Sequence, residues 1–311
     1  MANDESVQVL GRQLAWRSST HGLAHRDLCA RTTTPMDCGP RDEIYCRNWS
    51  LQSDGLHFEA KSKFQIWGAA HVGTFEQLVV TRHFGVTSDG RVYTTGIWEN
   101  RAFPPVSSGT YFMENTGKRT AFQALEATST FLVDGEDVYY VDGQRIMREG
   151  RDRKAFLVVD FKSGPHRAPI AKSGDTLFVA KGGDLDDWPS SPQGNVSFEA
   201  VRAGAVRPLH TTDAAYCFSA NSHGAVVCRD QDLQFFSFDG SKPRRALGGP
   251  IVVPPKDADL THATGVSLSA DGGVAWFTKD DPKVIHVRTP PRSVLCGGPA
   301  VAKPEAGTVA R

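Results

Sequence analysis

Apolar residues along this chain rarely recur at the three- and four-residue spacing of an amphipathic helix. Short runs rich in Val, Tyr, Phe and Thr are instead cut off by clusters of Gly, Asp and Pro, with 30 glycines and 18 prolines in 311 residues. That pattern predicts a many-stranded all-β protein. Several runs share one form, a polar turn followed by a small or β-branched residue and then an aromatic. They are LQSDGLHFEA (51–60), TSDGRVYTTG (87–96), VDGEDVYYVDG (133–143), KSGDTLFVAKG (172–182), TTDAAYCFSA (211–220) and SADGGVAWFTKD (269–280). Gly and Asp supply turn conformations that other residues resist. The aromatic anchors are Phe58, Tyr93, Tyr140, Phe178, Phe218 and the pair Trp276 and Phe277.

A second echo is a run with Phe in second place: TFEQLVV (74–80), AFQALEA (121–127), AFLVVDF (155–161) and SFEAVRA (197–203). Each unit thus reads as a Phe-led strand, a linker, a turn and an aromatic-bearing strand. Irregular periods of roughly 40 residues predict a β-propeller of six or seven blades, each blade a small antiparallel sheet. A β-sandwich, whose strands also recur between turns, is the alternative. The β domain is expected over 1–288. Residues 289–311 form a Pro-, Gly- and Ala-rich C-terminal tail, expected to be extended.

Composition narrows the function classes. The 35 basic and 35 acidic residues balance, so no basic surface calls for nucleic acid. Basic residues are scattered, which argues against a polybasic membrane anchor. No apolar run approaches the roughly 20 residues of a membrane-spanning helix. The start, Met1-Ala-Asn-Asp-Glu-Ser6, lacks the charge and apolar stretch of a signal peptide.

Two hairpins, HFGVTSDGRVYTTG and YCFSANSHGAVVCRD, resemble repeats of the regulator-of-chromosome-condensation family of propellers. There a strand ends at an Asp-Gly type of turn, and the return strand carries Val and an aromatic or Cys. Some bacterial members carry a Cys on each arm. DLCARTTTPMDCGPRDEIYCRNW (27–49) is similar to a stretched version, with Cys29 and Cys46 on the arms. AFQALEATSTFLVDGEDVYYVDGQRI and DRKAFLVVD resemble bacterial repeats named for an Asp-Lys-Asn-Tyr-Tyr core. The resemblance covers about half of the chain, implies a repeat-built β scaffold and transfers no catalytic residue.

The six cysteines then bear on compartment. In a hairpin with a symmetric even loop, Ala220 faces Ala225, Phe218 faces Val227 and Cys217 faces Cys228. Opposed residues sit about 4.5–5.5 Å apart at Cα, within disulfide range. The alternatives are two small buried thiols, or a metal pair, for which no Cys-x-x-Cys spacing appears. Full pairing is expected as Cys217–Cys228, Cys29–Cys46 and Cys38–Cys296, the last tying the chain ends together. Such usage favours an oxidising compartment, so the chain is expected to be secreted, periplasmic or on the cell surface.

Other chemistry is sparse. His21 and His25 have the spacing of helix-borne metal ligands, without an intervening Glu or an evident third ligand. Asp184, Asp186 and Asp187 could offer oxygens to Ca²⁺, but the central Gly and terminal Glu of a calcium loop are missing, so no cofactor is expected. No nucleophile elbow or phosphate loop occurs. Asn48-Trp-Ser50 and Asn195-Val-Ser197 match the N-glycosylation pattern. Two loops carry an aromatic among polar residues: Trp98 with Asn100 and Arg101, and Trp188 with Asp186 and Asp187. Such a Trp can stack on a sugar or anchor a protein. The expected role is non-enzymatic recognition of a protein or glycan through loops on one face. A glycan hydrolase or lyase, and a structural subunit of a surface assembly, are the alternatives.

Overall fold

The computed structural model describes residues 6–18, 22–36, 49–52, 55–60, 63–66, 73–74, 80–89, 91–97, 108–113, 119–121, 131–182, 194–215, 217–229, 232–239, 244–245, 251–252, 266–269, 272–278, 281–289 and 292–297. They form seven four-stranded antiparallel sheets and one helical turn, Arg292–Leu295. In chain order the sheets take residues 6–35 (A), 49–74 (B), 80–121 (C), 131–160 (D), 167–215 (E), 217–245 (F) and 251–288 (G). The fold class is all-β, as the run lengths predict.

In sheets A to F every strand pairs with its successor in sequence. Sheet G departs from this: its outermost strand, Ile251–Val252, precedes the other three and pairs with Asp281–Arg288. The sheets adjoin through their first hairpin strands. Ser6–Leu10 of A touches Trp49–Gln52 of B, which touches Val80–Val86 of C. Contacts continue through Phe131–Asp134, Arg167–Ser173 and Cys217–Asn221 to Val266–Leu268 of G, which touches Ser6–Leu10 again.

Strand alternation explains this stacking, because successive side chains leave opposite faces of a sheet. In sheet E, Phe178, Ala180, Phe198 and Ala200 pack on Phe218, Ala225, Val227 and Phe236 of sheet F. Their neighbours Leu177, Val179 and Val201 pack the other way, on Tyr139, Ile146 and Val159 of sheet D. Sheet A repeats the arrangement. Leu14, Trp16 and Ala24 meet Ala275, Ile285 and Val287 of G, whereas Ala15 and Leu23 meet Trp49, Leu51 and Leu56 of B. Phe198 is fully buried and its ring sits edge-on to Phe218, with centroids 5.7 Å apart.

Most predicted turn cores are first-to-second strand hairpins, with the aromatic on the second strand: Phe58, Tyr93, Tyr140 and Phe178; in sheet G the hairpin joins the second and third strands and Trp276 lies on the third. TTDAAYCFSA is not one. It straddles the strands Ala205–Ala215 and Cys217–Asn221, so Phe218 lies one strand early. The sheet F hairpin is instead Asn221-Ser222-His223-Gly224, where Asn221 Oδ1 accepts from the His223 and Gly224 N–H groups at 2.8 and 3.1 Å. Gly224 is required there, since a Cβ would lie 2.4 Å from the Phe236 carbonyl oxygen. Trp16 is sheet A's aromatic, which the repeat reading passed over.

The register predicted for YCFSANSHGAVVC holds: Cys217 faces Cys228, Phe218 faces Val227 and Ala220 faces Ala225. The two cysteine side chains lie outside the described residues. Cys29 is bonded to Cys296, which corrects both the Cys29–Cys46 and the Cys38–Cys296 pairings. For the Cys46 pairing the reason is local. Cys29 sits in a tight turn between Gly22–Asp27 and Thr32–Pro35, so the returning arm is Thr32–Pro35 and not the segment holding Cys46. Cys38 and Cys46 lie outside the described residues. The chain beyond 289 does not run straight out, for Arg292–Leu295 is helical and leads to the bonded Cys296.

Phe198→Ala should empty the E–F layer and cost about 3–5 kcal/mol. Urea denaturation should show a lower midpoint with an unchanged slope.

Candidate interaction surface

Hydrogen bonds align the first hairpin turns of neighbouring sheets along one edge of the array. The Ser88 N–H of sheet C donates to the Gly135 carbonyl of sheet D at 2.9 Å. Arg91 donates to the Gly150 and Glu136 carbonyls while its Nε holds Asp89. Lys172 of sheet E reaches Asp134 of sheet D at 2.8 Å. In sheets F and G, Asn221 Nδ2 donates to the Ser269 carbonyl at 2.7 Å.

Antiparallel pairing fixes what lies at the opposite edge. The second strands of C, D and E run away from those turns and end at Ile97, Asp142 and Lys181. The segments 98–107 and 183–193 start from two of these ends, on the same edge of the array. Trp98, Asn100 and Arg101 belong to the first segment, Asp186, Asp187 and Trp188 to the second. All six lie outside the described residues, and so does Asp184. Connectivity therefore brings the roots of both predicted loops to one edge.

The root of the second segment is described and polar. Glu199, buried in the third strand of sheet E, accepts from Arg167 Nε at 3.0 Å and pairs with Lys181 Nζ at 3.3 Å. Arg167 also lies over the Phe161 ring, 4.0 Å from its centre. Two basic side chains thus flank one carboxylate. Lys181, one third exposed, is the member that solvent reaches most. The Gly182 N–H donates to the His166 carbonyl at 3.2 Å. Gly182 has φ +97°, and a Cβ would fall 2.6 Å from the Asn195 carbonyl oxygen, so only glycine fits where the segment departs. Ser197 and Thr211 share a hydroxyl hydrogen bond of 3.1 Å beside it.

Arg167, Lys181 and Glu199 were not singled out from the sequence. Each reads as one more charge on a strand, and only the pairing of three strands brings them together. The usable signal was parity: Glu199 shares a face with Val201, which is apolar and buried.

The remaining sequence candidates separate. His25 lies on a strand rather than a helix and is buried, and burial holds its pKa below the ordinary 6.5. His21 lies outside the described residues. Among the described residues, no group of three or more His, Cys, Asp or Glu side chains could hold a metal ion. Asn195 is exposed, and Trp49, next to Asn48, is buried. Also among the described residues, no helix is long and apolar enough to cross a membrane.

No family model matches the chain, and no curated protein matches it. Among solved structures it is similar to the computationally designed Ika8 protein, at a TM-score of 0.55 and 8% identity. That match covers 91% of this chain and 94% of the other. At such identity the likeness is one of fold.

Glu199→Ala should cost about 3–5 kcal/mol, because Arg167 would keep a buried charge without its partner. Chemical denaturation checks this, and replacing Arg167, Lys181 and Glu199 together with apolar residues should recover much of the loss. His25 generates a pH dependence. Its folded pKa is depressed, so the unfolded chain binds the proton more tightly between the two values. Stability should hold above about pH 6.5 and fall as pH drops from there through the folded pKa. His25→Asn should flatten that part of a melting-temperature profile.

Proposed function

We propose that the protein is an extracytoplasmic, non-enzymatic recognition scaffold. In this reading the seven sheets are blades of a closed β-propeller, and the chain binds a protein or glycan through loops on the edge opposite the first hairpin turns. One observation carries the binding surface: the segments holding Trp98 and Trp188 leave their sheets on the same edge. The cyclic contacts of the first strands support the closed ring, and four strands per sheet suit a blade. The hairpin resemblance to the regulator-of-chromosome-condensation repeats points the same way. The Cys29–Cys296 bond supports an oxidising compartment, and a second bond between the register partners Cys217 and Cys228 belongs to the same reading.

Aromatic anchors fit this role because a Trp presents a large rigid surface at low entropic cost. The neighbouring Asn100, Arg101, Asp186 and Asp187 would orient a polar ligand. A surface-assembly subunit is the second reading, favoured by the outer strand Ala155–Asp160 of sheet D. There Phe156 and Leu157 are 54% and 56% exposed along a strand that pairs on one side only.

The test is a glycan array together with capture of a partner from extracellular fluid, using the folded chain. A specific ligand should be found and left chemically unchanged. Trp98→Ala and Trp188→Ala should each weaken binding by at least about 2 kcal/mol without lowering the melting temperature. Binding unaffected by both replacements, or turnover of the ligand, would reject the reading.

A further inference from the structure

The junction between sheets A and G differs from the other six in one respect. Each of the others is crossed by the polypeptide itself, because consecutive sheets are consecutive in sequence. Sheet A is built wholly from residues 6–35 and sheet G wholly from 251–288, so no strand is shared across their seam. Among the described residues, three things hold it. An apolar layer joins Val7, Val9, Leu14 and Trp16 to Ala275, Ile285 and Val287. The Val9 N–H donates to Ser267 Oγ at 3.1 Å. The third is covalent, the Cys29–Cys296 bond between residues 267 apart in sequence.

The Cys29 end of that bond is fixed to sheet A. Asp27 Oδ1 accepts from the Cys29 and Ala30 N–H groups at 2.8 and 2.9 Å, and its other oxygen meets Arg12 at 3.3 Å. The Leu28 N–H donates to the Arg12 carbonyl, locking the turn to the first hairpin of sheet A. On the other side, Cys296 follows the helical turn Arg292–Leu295, a few residues after the last strand of sheet G. Both cysteines are only half-buried, so a reagent can reach them.

We propose that Cys29–Cys296 is a redox clasp across the A–G seam, and that its reduction opens the molecule there before any other junction. The step is thiol–disulfide exchange with a dithiol. One thiolate of the dithiol attacks a sulfur of the clasp, giving a mixed disulfide and releasing one cysteine thiolate. The second thiolate of the dithiol then displaces the other cysteine. Two electrons pass to the clasp, each released thiolate takes a proton, and the dithiol leaves as its disulfide. The seam keeps its apolar layer and the Val9–Ser267 hydrogen bond but loses the covalent link that opposes separation there. Every other junction retains the chain. The proposal rests on the observed A–G contacts and does not depend on which ligand the far edge binds.

Hydrogen–deuterium exchange of the full chain, oxidised and after dithiothreitol, tests it. Amides of 7–16 and 274–287 should exchange about thirtyfold faster or more on reduction, the lower range of what a long-loop crosslink contributes. Amides of 138–146 and 177–201, at the D–E junction, should keep their rates, and reoxidation should restore the oxidised pattern. The Cys29→Ser/Cys296→Ser double variant should show the fast pattern without reductant. If that variant does not fold, a dithiothreitol titration of the unmodified chain decides, since seam exchange must rise with the mapped fraction of broken Cys29–Cys296. The Cys217→Ser/Cys228→Ser variant must still open on reduction. A rise spread evenly over all sheets, no rise at the seam, or loss of the response in that control would overturn the proposal.

Discussion

Sheets A, D, E, F and G each have two apolar faces to bury, and that constraint organises much of the structure. In sheet E, Phe198 and Ala180 need sheet F, while Val179 and Val201 need sheet D. Neither demand can be met by the other, because alternation puts them on opposite sides. A row of such sheets always leaves two raw ends, and at roughly 25 cal/mol per Å² of apolar surface those ends are costly in water. Contact between A and G covers apolar side chains of both. Trp16 and Leu14 find Ile285 and Val287, and Ala15 and Leu23 still have sheet B.

The first strand of each sheet raises a second problem, since it pairs with a neighbour on one side only. Its outer N–H groups need partners. At three junctions a side chain of the preceding sheet supplies one. Gln8 Oε1 accepts from the Leu51 N–H at 2.6 Å, Ser219 Oγ from Leu268 at 2.9 Å and Ser267 Oγ from Val9 at 3.1 Å. Gln8 and Ser219 sit two residues before the end of their strands, and Ser267 one residue before the end of Val266–Leu268. A short polar side chain there both caps a strand edge and sets the spacing of neighbouring sheets. Arg91 and Lys172 do comparable work between C, D and E with charge.

Much of this was legible because it is local. Hairpin turns of Gly, Asp and Asn announce themselves, and the register of Cys217 with Cys228 follows from loop symmetry alone. The repeat was misread where sheet F breaks the rule, placing its aromatic on the first strand and leaving Val226 and Val227 on the second. The long strand Ala205–Ala215 hid the boundary, since TTDAA looks like a turn but continues a ladder with Gly194–Arg202. The partner of Cys29 was illegible for a different reason. Bonds across 267 residues depend on how the two ends of the array meet, and nothing near Cys29 encodes that. The Glu199 cluster failed likewise, its three charges coming from three strands.

The two edges of the array therefore carry different burdens. The edge with the first hairpin turns is crowded with bonds that hold neighbours together: Ser88 to Gly135, Asn221 to Ser269, Lys172 to Asp134, and the disulfide beside them. Its connections are short, two residues at 11–12, 135–136, 174–175 and 222–223. A longer insertion there would disturb a junction. The opposite edge starts the connections 98–107 and 182–193, ten and twelve residues between their strands. Loop closure cost grows slowly with length, so such segments add little thermodynamic penalty where no junction depends on them. Among the described residues, the side-chain and turn bonds that tie C to D, D to E and F to G lie on the first-hairpin edge, whereas the opposite edge is held within sheet E by Glu199 with Arg167 and Lys181.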